Sequence, residues 1–417
     1  MKDKLLLKSK GLGNIYSQWG GTTPIIFAYA HAGHDMCIGL LVGLLPFISV
    51  DLGLSYLQAG FLLSAYALTA GFSQLLGGWI GDRVSKHMVI AIGLAGIGLS
   101  TFTIGFSPSF YPMLTMLVIM GVFAGAYHPS ATAMISNHFS GSIMGRVISI
   151  HLLGGSIGHT IGPILGGFIA NAIGWRFAYI LLSIPVLLAV FVSLTIFRKL
   201  EQTSLSEVKT IAPAINSNIT EETPERLSLL QAIRPIVDIL VLVTLTQLVV
   251  GSITSFLPLY LVDKYGIAPV YASMLMGIFR GVGIAGNLLG GWISDKWGRI
   301  NAIAIALAVI GPIFFLCTIA PNNIVLILSF ATFGLFIQMR QPTVQPYLMD
   351  RTPKYLRATI IGIYFGVGME GRSFLQPVIG YITDTYGVID VFQVLAFITI
   401  VLSLLALLII KRPKLSR

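Results

Sequence analysis

What most constrains this chain is a row of about a dozen apolar runs, each long enough to cross a bilayer as a helix of roughly twenty residues rising about 1.5 Å each. They lie near residues 23–49, 56–80, 88–106, 111–136, 146–170 and 176–197, then near 235–262, 268–293, 301–320, 323–348, 358–383 and 388–410. The runs are continuous and do not alternate, which predicts helices and argues against a β-barrel. Only 10% of the 417 residues are charged, against about 25% in a soluble domain. Most of the exterior must therefore face lipid. The expected fold class is an all-α polytopic membrane protein with twelve transmembrane helices. The basic start, Met1 to Lys10, is not followed at signal-peptide distance by an apolar run with a cleavage site, so the first helix is expected to stay.

Charge sets the orientation. One side of this arrangement holds 21 of the 26 Lys and Arg residues, the other only Arg176 and Lys264, and Arg280, Arg340 and Arg372 fall inside helices. Basic loops stay inside, so both termini are expected in the cytoplasm, with the protein in the cell inner membrane. The net charge of +10 is then accounted for without nucleic acid. Cys37 and Cys317 sit in apolar helices of opposite halves and read as packing residues.

The stretch 198–234 breaks the apolar pattern with Glu201, Glu207, Lys209, Glu221, Glu222, Glu225 and Arg226 among Ser, Thr, Asn and Pro. That is linker composition. It divides the chain into a six-helix bundle at 1–197, a cytoplasmic linker, and a second bundle at 235–417. The two halves repeat. Gly77-Gly78-Trp79-Ile80-Gly81-Asp82-Arg83 returns as Gly290-Gly291-Trp292-Ile293-Ser294-Asp295-Lys296, and Gly121-Val122-Phe123 returns as Gly334-Leu335-Phe336 at the same displacement of 213 residues. Pro129 returns as Pro342. Pseudo-symmetric parallel halves are one of the plans on which membrane transporters are built.

The motif Gly78-x-x-x-Asp82-Arg83-x-x-Lys86, with its copy Gly291-x-x-x-Asp295-Lys296-x-Gly298-Arg299, resembles the signature loop of the major facilitator superfamily. The resemblance covers the whole chain and departs from the pattern at Ser85 and His87. It implies that Gly78, Asp82, Arg83, Gly291, Asp295 and Arg299 form a conformational gate, the glycines allowing close helix approach. In the fifth helix Gly158, Gly162, Pro163 and Gly166 resemble the glycine-proline motif of antiporters in that superfamily, which implies export.

Ionisable groups at bilayer depth are costly and usually face a cavity or a partner. His31, His34 and Asp35 share one face of the first helix, and Tyr127-His128-Pro129 lies in the fourth. A histidine beside a carboxylate titrates near physiological pH, so Asp35, His31, His34 and His128 are the candidate proton-coupling residues, with Glu370 in the eleventh helix as a further one. His151 and His159 read equally well as packing residues. In the second half Arg280, Arg340 and Arg372 are suited to gripping a carboxylate or phosphonate. Together with Tyr127 and Gln341 they are the candidate solute contacts. The expected solute is a small anionic or amphipathic compound.

His31-x-x-His34-Asp35-Met36 and Tyr127-His128-Pro129, with Gly145-Arg146 and Gly162-Pro163, resemble the fosmidomycin-resistance group. Ser130 and Ala133 depart from it, which points away from the phosphonate antibiotic itself. The resemblance implies alternating-access, proton-coupled antiport by a functional monomer; the alternative is proton-coupled uptake of a small carboxylate by symport. No phosphate-cradling glycine loop, zinc spacing or channel filter is present. An enzyme, a cofactor and a metal are therefore not expected. The partners expected are a small-molecule solute, protons and the lipid bilayer.

Overall fold

The computed structural model describes residues 21–81, 83–139, 141–202, 228–353, 356, 360, 363–364, 367–368 and 371–410. Among these, regular structure is entirely helical. In chain order the helices are α1 (Thr23–Leu52), α2 (Tyr56–Gly81), α3 (Lys86–Ile104), α4 (Phe110–His138), α5 (Gly141–Ile173), α6 (Trp175–Leu182) and α7 (Ile184–Val192). A π-helical turn, Ser193–Phe197, follows, and the helical stretch runs on to Gln202. There follow α8 (Leu229–Ile233), α9 (Val237–Tyr265), α10 (Pro269–Trp297), α11 (Arg299–Thr318), α12 (Asn323–Met339), α13 (Gln341–Asp350), α14 (Gly371–Tyr386) and α15 (Val388–Ile410). Among the described residues, ten helical stretches have the length and hydropathy to cross a membrane. Helices α2 and α14 stand where the second and eleventh spans are expected. Asp82, Glu370 and residues 203–227 of the expected linker lie outside the described residues.

Helix ends follow local chemistry. Gly266 adopts φ 62° and closes α9, a left-handed conformation that glycine accepts at little cost. Pro269 then opens α10, where a missing N–H costs nothing. The span expected over 323–348 is interrupted: α12 stops at Met339 and α13 starts at Gln341, leaving Arg340 at the break. Pro342 is the cause, since its ring cannot donate to the preceding turn.

The chain forms two compact units. One comprises the described residues of Met1–Leu40, Thr69–Gly162 and Arg176–Ile219; the other those of Leu41–Leu68, Pro163–Trp175 and Thr220–Arg417. The boundary runs across α1, α2 and α5 and cuts α6 after its first residue, Trp175.

In the first unit α5 lies on α1 through glycines. A Cβ at Gly162 would come within 2.7 Å of the Met36 carbonyl oxygen, and one at Gly158 would strike the Ala32 carbonyl. Gly291, expected to allow close helix approach, does not do so. A Cβ at Gly291 meets nothing within 4 Å, whereas one at Gly290 would strike the Met339 carbonyl. In the first half Gly77 is tight, with a Cβ there 2.6 Å from the Ala126 Cα. Gly77 and Gly290 are repeat partners, and so are Ala126 and Met339. The same pair of positions thus meets in both halves, and in the second half the contact falls one residue before the Gly291 expected. Gly290→Ala should destabilise the protein by about 1–3 kcal/mol through overpacking, while Gly291→Ala should be neutral within error. Thermal unfolding of the two purified variants in detergent checks this.

Candidate functional site

Helix α1 carries His31, His34 and Asp35 into the interior of the first unit, all under 10% exposed. They reach one another because α5 presents Gly155 there: a Cβ at that position would lie 2.6 Å from Asp35 Oδ2 and from the His31 ring. The carboxylate is ringed by imidazoles. His34 Nδ1 lies 2.7 Å from Asp35 Oδ1; His31 Nε2 is 3.2 Å and His159 Nε2 3.4 Å from Oδ2. His128 Nε2 stands 4.0 Å from Oδ1. The His31 ring stacks on His151 at 4.2 Å between centroids, and His34 stacks on Tyr127 at 4.6 Å.

The hydrogen bonds limit where protons are held. His31 Nδ1 lies 2.8 Å from the His151 carbonyl oxygen while Nε2 faces Asp35. His34 Nε2 lies 3.3 Å from the Ala124 carbonyl oxygen while Nδ1 faces Asp35. A neutral imidazole has one donor and one acceptor, so each ring satisfies both oxygen neighbours only when doubly protonated. His128 and His159 are the more open rings, at 38% and 31% side-chain exposure. His31, Asp35 and His128 also bring ligand atoms within 4.8 Å of one another, close enough to share one small cation. Linear spacing gives no sign of this, because two helices assemble it.

Of the residues expected to act together, His31, His34, Asp35 and His128 are brought together. His151 and His159 join them, where the sequence left packing as an equal alternative. Tyr127, expected to touch solute, is fully buried against the His34 ring, so in this state it braces the imidazoles. In the second unit Arg340 is 3% exposed; it donates from one terminal nitrogen to the Val243 carbonyl at 3.3 Å, and its Nε has no partner among the described residues. Arg280 and Gln341 are half-buried, with the Arg280 guanidinium 5.9 Å from the Phe279 ring centroid. Arg372 lies with its stem on Gly251, whose Cβ would be 2.8 Å from Cδ. One turn on, Gln376 donates to Ser255 Oγ at 2.9 Å.

At the loop copies, Arg83 and Asp295 are exposed, and Arg299 pairs with Asp350 and donates to the Pro346 carbonyl. Glu201, expected in the linker, lies instead in the last turn of the helical stretch that ends at Gln202, and its carboxylate accepts from the first two amides of α3, Lys86 at 2.8 Å and His87 at 3.1 Å. The His87 ring lies 2.6 Å from the same carboxylate. An acid placed just past a long apolar run is the signal that marks it.

The family model of the Major Facilitator Superfamily matches residues 27–375. The chain is 23% identical over 371 residues to the fosmidomycin resistance protein of Escherichia coli (strain K12), covering 88% of each chain. It is 22% identical over 344 residues to the cis,cis-muconate transport protein of Acinetobacter baylyi (strain ATCC 33305 / BD413 / ADP1), covering 81% of each. The fold is similar to that of a bacterial homologue of the human lysosomal transporter Spinster, with a TM-score of 0.73 at 13% identity over 92% of this chain and 95% of that one. The chain belongs to the Major Facilitator Superfamily: it is a multi-pass membrane transporter of a small molecule, and not an enzyme.

Proposed function

We propose that this transporter is a proton-coupled antiporter of the bacterial inner membrane, exporting a small anionic or amphipathic compound as a monomer by alternating access. The observation that carries the reading is a membrane-buried carboxylate, Asp35, held by His31, His34 and His159 with His128 beside it. Charged groups at that depth are retained for ion or proton traffic, and the imidazoles set around the carboxylate offer it several nitrogen partners for a proton. Glu370 is the further coupling candidate. Arg280, Arg340 and Arg372, with Gln341, supply the solute's anion contacts. The Gly158, Gly162, Pro163 and Gly166 stretch favours export. Gly78, Asp82, Arg83, Gly291, Asp295 and Arg299 govern conformational exchange and not solute contact. The bundles at 1–197 and 235–417 are the moving halves, and the charge asymmetry places both termini and the linker in the cytoplasm. A cysteine introduced at Ser217 should therefore label only after the cells are permeabilised.

Uptake by symport is the second reading. It is favoured by the buried guanidinium of Arg340, which suits a carboxylate, and by the muconate transport protein among the relatives. A thermal-shift screen of organic anions, followed by flux in proteoliposomes with an imposed pH gradient, decides. Antiport moves the hit against the proton flow and symport moves it with the flow. No response to the gradient in either direction overturns both.

A further inference from the structure

Helix α2 does not cap its own start with side chains of its own neighbourhood alone. Its first two amides are donated to one carboxylate far along the chain: Tyr56 N–H to Asp384 Oδ1 at 2.8 Å and Leu57 N–H to Asp384 Oδ2 at 2.9 Å. The Tyr56 hydroxyl donates to Asp263 Oδ2 at 2.6 Å. The start of α2 is thus tied to the ends of α14 and α9, all within the second compact unit. First-turn amides have no partner inside their own helix and sit at the positive end of its dipole, so a carboxylate there makes charge-assisted hydrogen bonds.

The backbones beneath are in direct contact. A Cβ at Gly60 would lie 2.6 Å from the Gln376 carbonyl oxygen, and one at Gly380 would strike the Tyr56 carbonyl. The repeat shows which part of this is particular to one side. Displaced by 213 residues, Gly60 corresponds to Ser273 and Gly380 to Gly167, and these also touch, with a Cβ at Gly167 lying 2.6 Å from the Ser273 Cβ. The counterpart of Asp384 is Asn171, however, and that of Tyr56 is Pro269, which has no N–H to give. The backbone contact is therefore duplicated while the anionic clasp exists once. It stands on α14, which also carries Arg372 and Gln376, and on α2, which leads into the signature loop.

We propose that Asp384, with Tyr56 and Asp263, is a releasable clasp that holds α2 against α14, and that its opening is a step of the transport cycle. Asp384 is a positioning residue: it is exposed, so water replaces the two amides when the helices part. The proposal rests on alternating access by this family's fold and not on proton coupling, so the two readings fail separately.

The test is a distance measurement on the full-length protein in liposomes, without solute or pH gradient. Spin labels are placed at cysteines replacing Phe61 on α2 and Tyr386 on α14, two exposed positions; the native Cys37 and Cys317 are buried. Asp384→Asn keeps one acceptor and turns an amide toward the second N–H. The population with the longer label separation should rise about five-fold, the scale of losing a helix N-cap. Asp384→Glu should restore much of the short separation. Tyr56→Phe, which removes only the Asp263 tie, should shift the population the same way by less, and it stands in if Asp384→Asn does not fold. An unchanged distance distribution in folded Asp384→Asn, or in Tyr56→Phe where that variant stands in, overturns the proposal. So does a general loss of thermal stability with no change in distance.

Discussion

Asp35→Asn is expected to reduce pH-gradient-driven transport to the level of empty liposomes while leaving solute exchange at equal pH intact. The asymmetry follows from what each activity needs. Net movement driven by a gradient requires a group that loads and releases a proton once per cycle; exchange of solute for solute requires only that both conformations be reached with solute bound. Asparagine keeps the size of the carboxylate and removes its charge. His31 and His34 then lose the carboxylate that their ring nitrogens face, and with it the anion that would stabilise either ring when it carries an extra proton. Substitution of His128 or His159, the more open rings, should move the pH optimum without abolishing transport. Loss of both flux and exchange in Asp35→Asn would make Asp35 a binding or folding residue instead.

Arg340→Lys is expected to weaken solute affinity by one to two orders of magnitude. One terminal nitrogen of Arg340 donates to the Val243 carbonyl, and its Nε has no partner among the described residues, so that edge of the fork is the one offered to an anion. Lysine keeps the charge and loses the planar, two-pronged geometry. Removing one charge-assisted hydrogen bond to the solute costs about 1.5–3 kcal/mol, and each 1.4 kcal/mol is about tenfold in Kd. Equilibrium binding by titration calorimetry reads this directly. An unchanged Kd with a lowered Tm would assign Arg340 to holding the α12–α13 break, and the same outcome at Arg280 and Arg372 would locate the solute elsewhere.

Much of the membrane architecture is legible in the sequence because hydrocarbon thickness imposes one length on every span. The second helix, expected over 56–80, runs Tyr56–Gly81, and the last, expected over 388–410, runs Val388–Ile410. What length does not encode is rotation about a helix axis. Gly77 and Gly78 are neighbours in sequence but about 100° apart around the helix, so a Gly-Gly pair cannot reveal which glycine meets its neighbour. The same ambiguity hid His151 and His159: a lone imidazole on a glycine-rich helix faces either way. Here the glycines were the usable signal, since Gly155 is what allows α5 to lie against His31 and Asp35. The break at Arg340 was also within reach, because Pro342 follows it at the spacing where a helix loses its backbone bond. Contacts between residues hundreds of positions apart, such as Asp384 with Tyr56, leave no pattern in a single sequence.

The assignment of the coupling proton to Asp35 and its imidazoles is tested most directly by recording solute and proton movement together in the same proteoliposomes, with a pH-sensitive dye inside and no imposed gradient. If Asp35 carries the proton in antiport, solute leaving the wild-type liposomes draws protons inward and acidifies the lumen in proportion to the solute moved. The Asp35→Asn protein moves solute only in exchange and leaves the dye unchanged. Solute leaving the wild-type liposomes with no change in lumenal pH, or an undiminished proton signal from Asp35→Asn, would contradict the assignment.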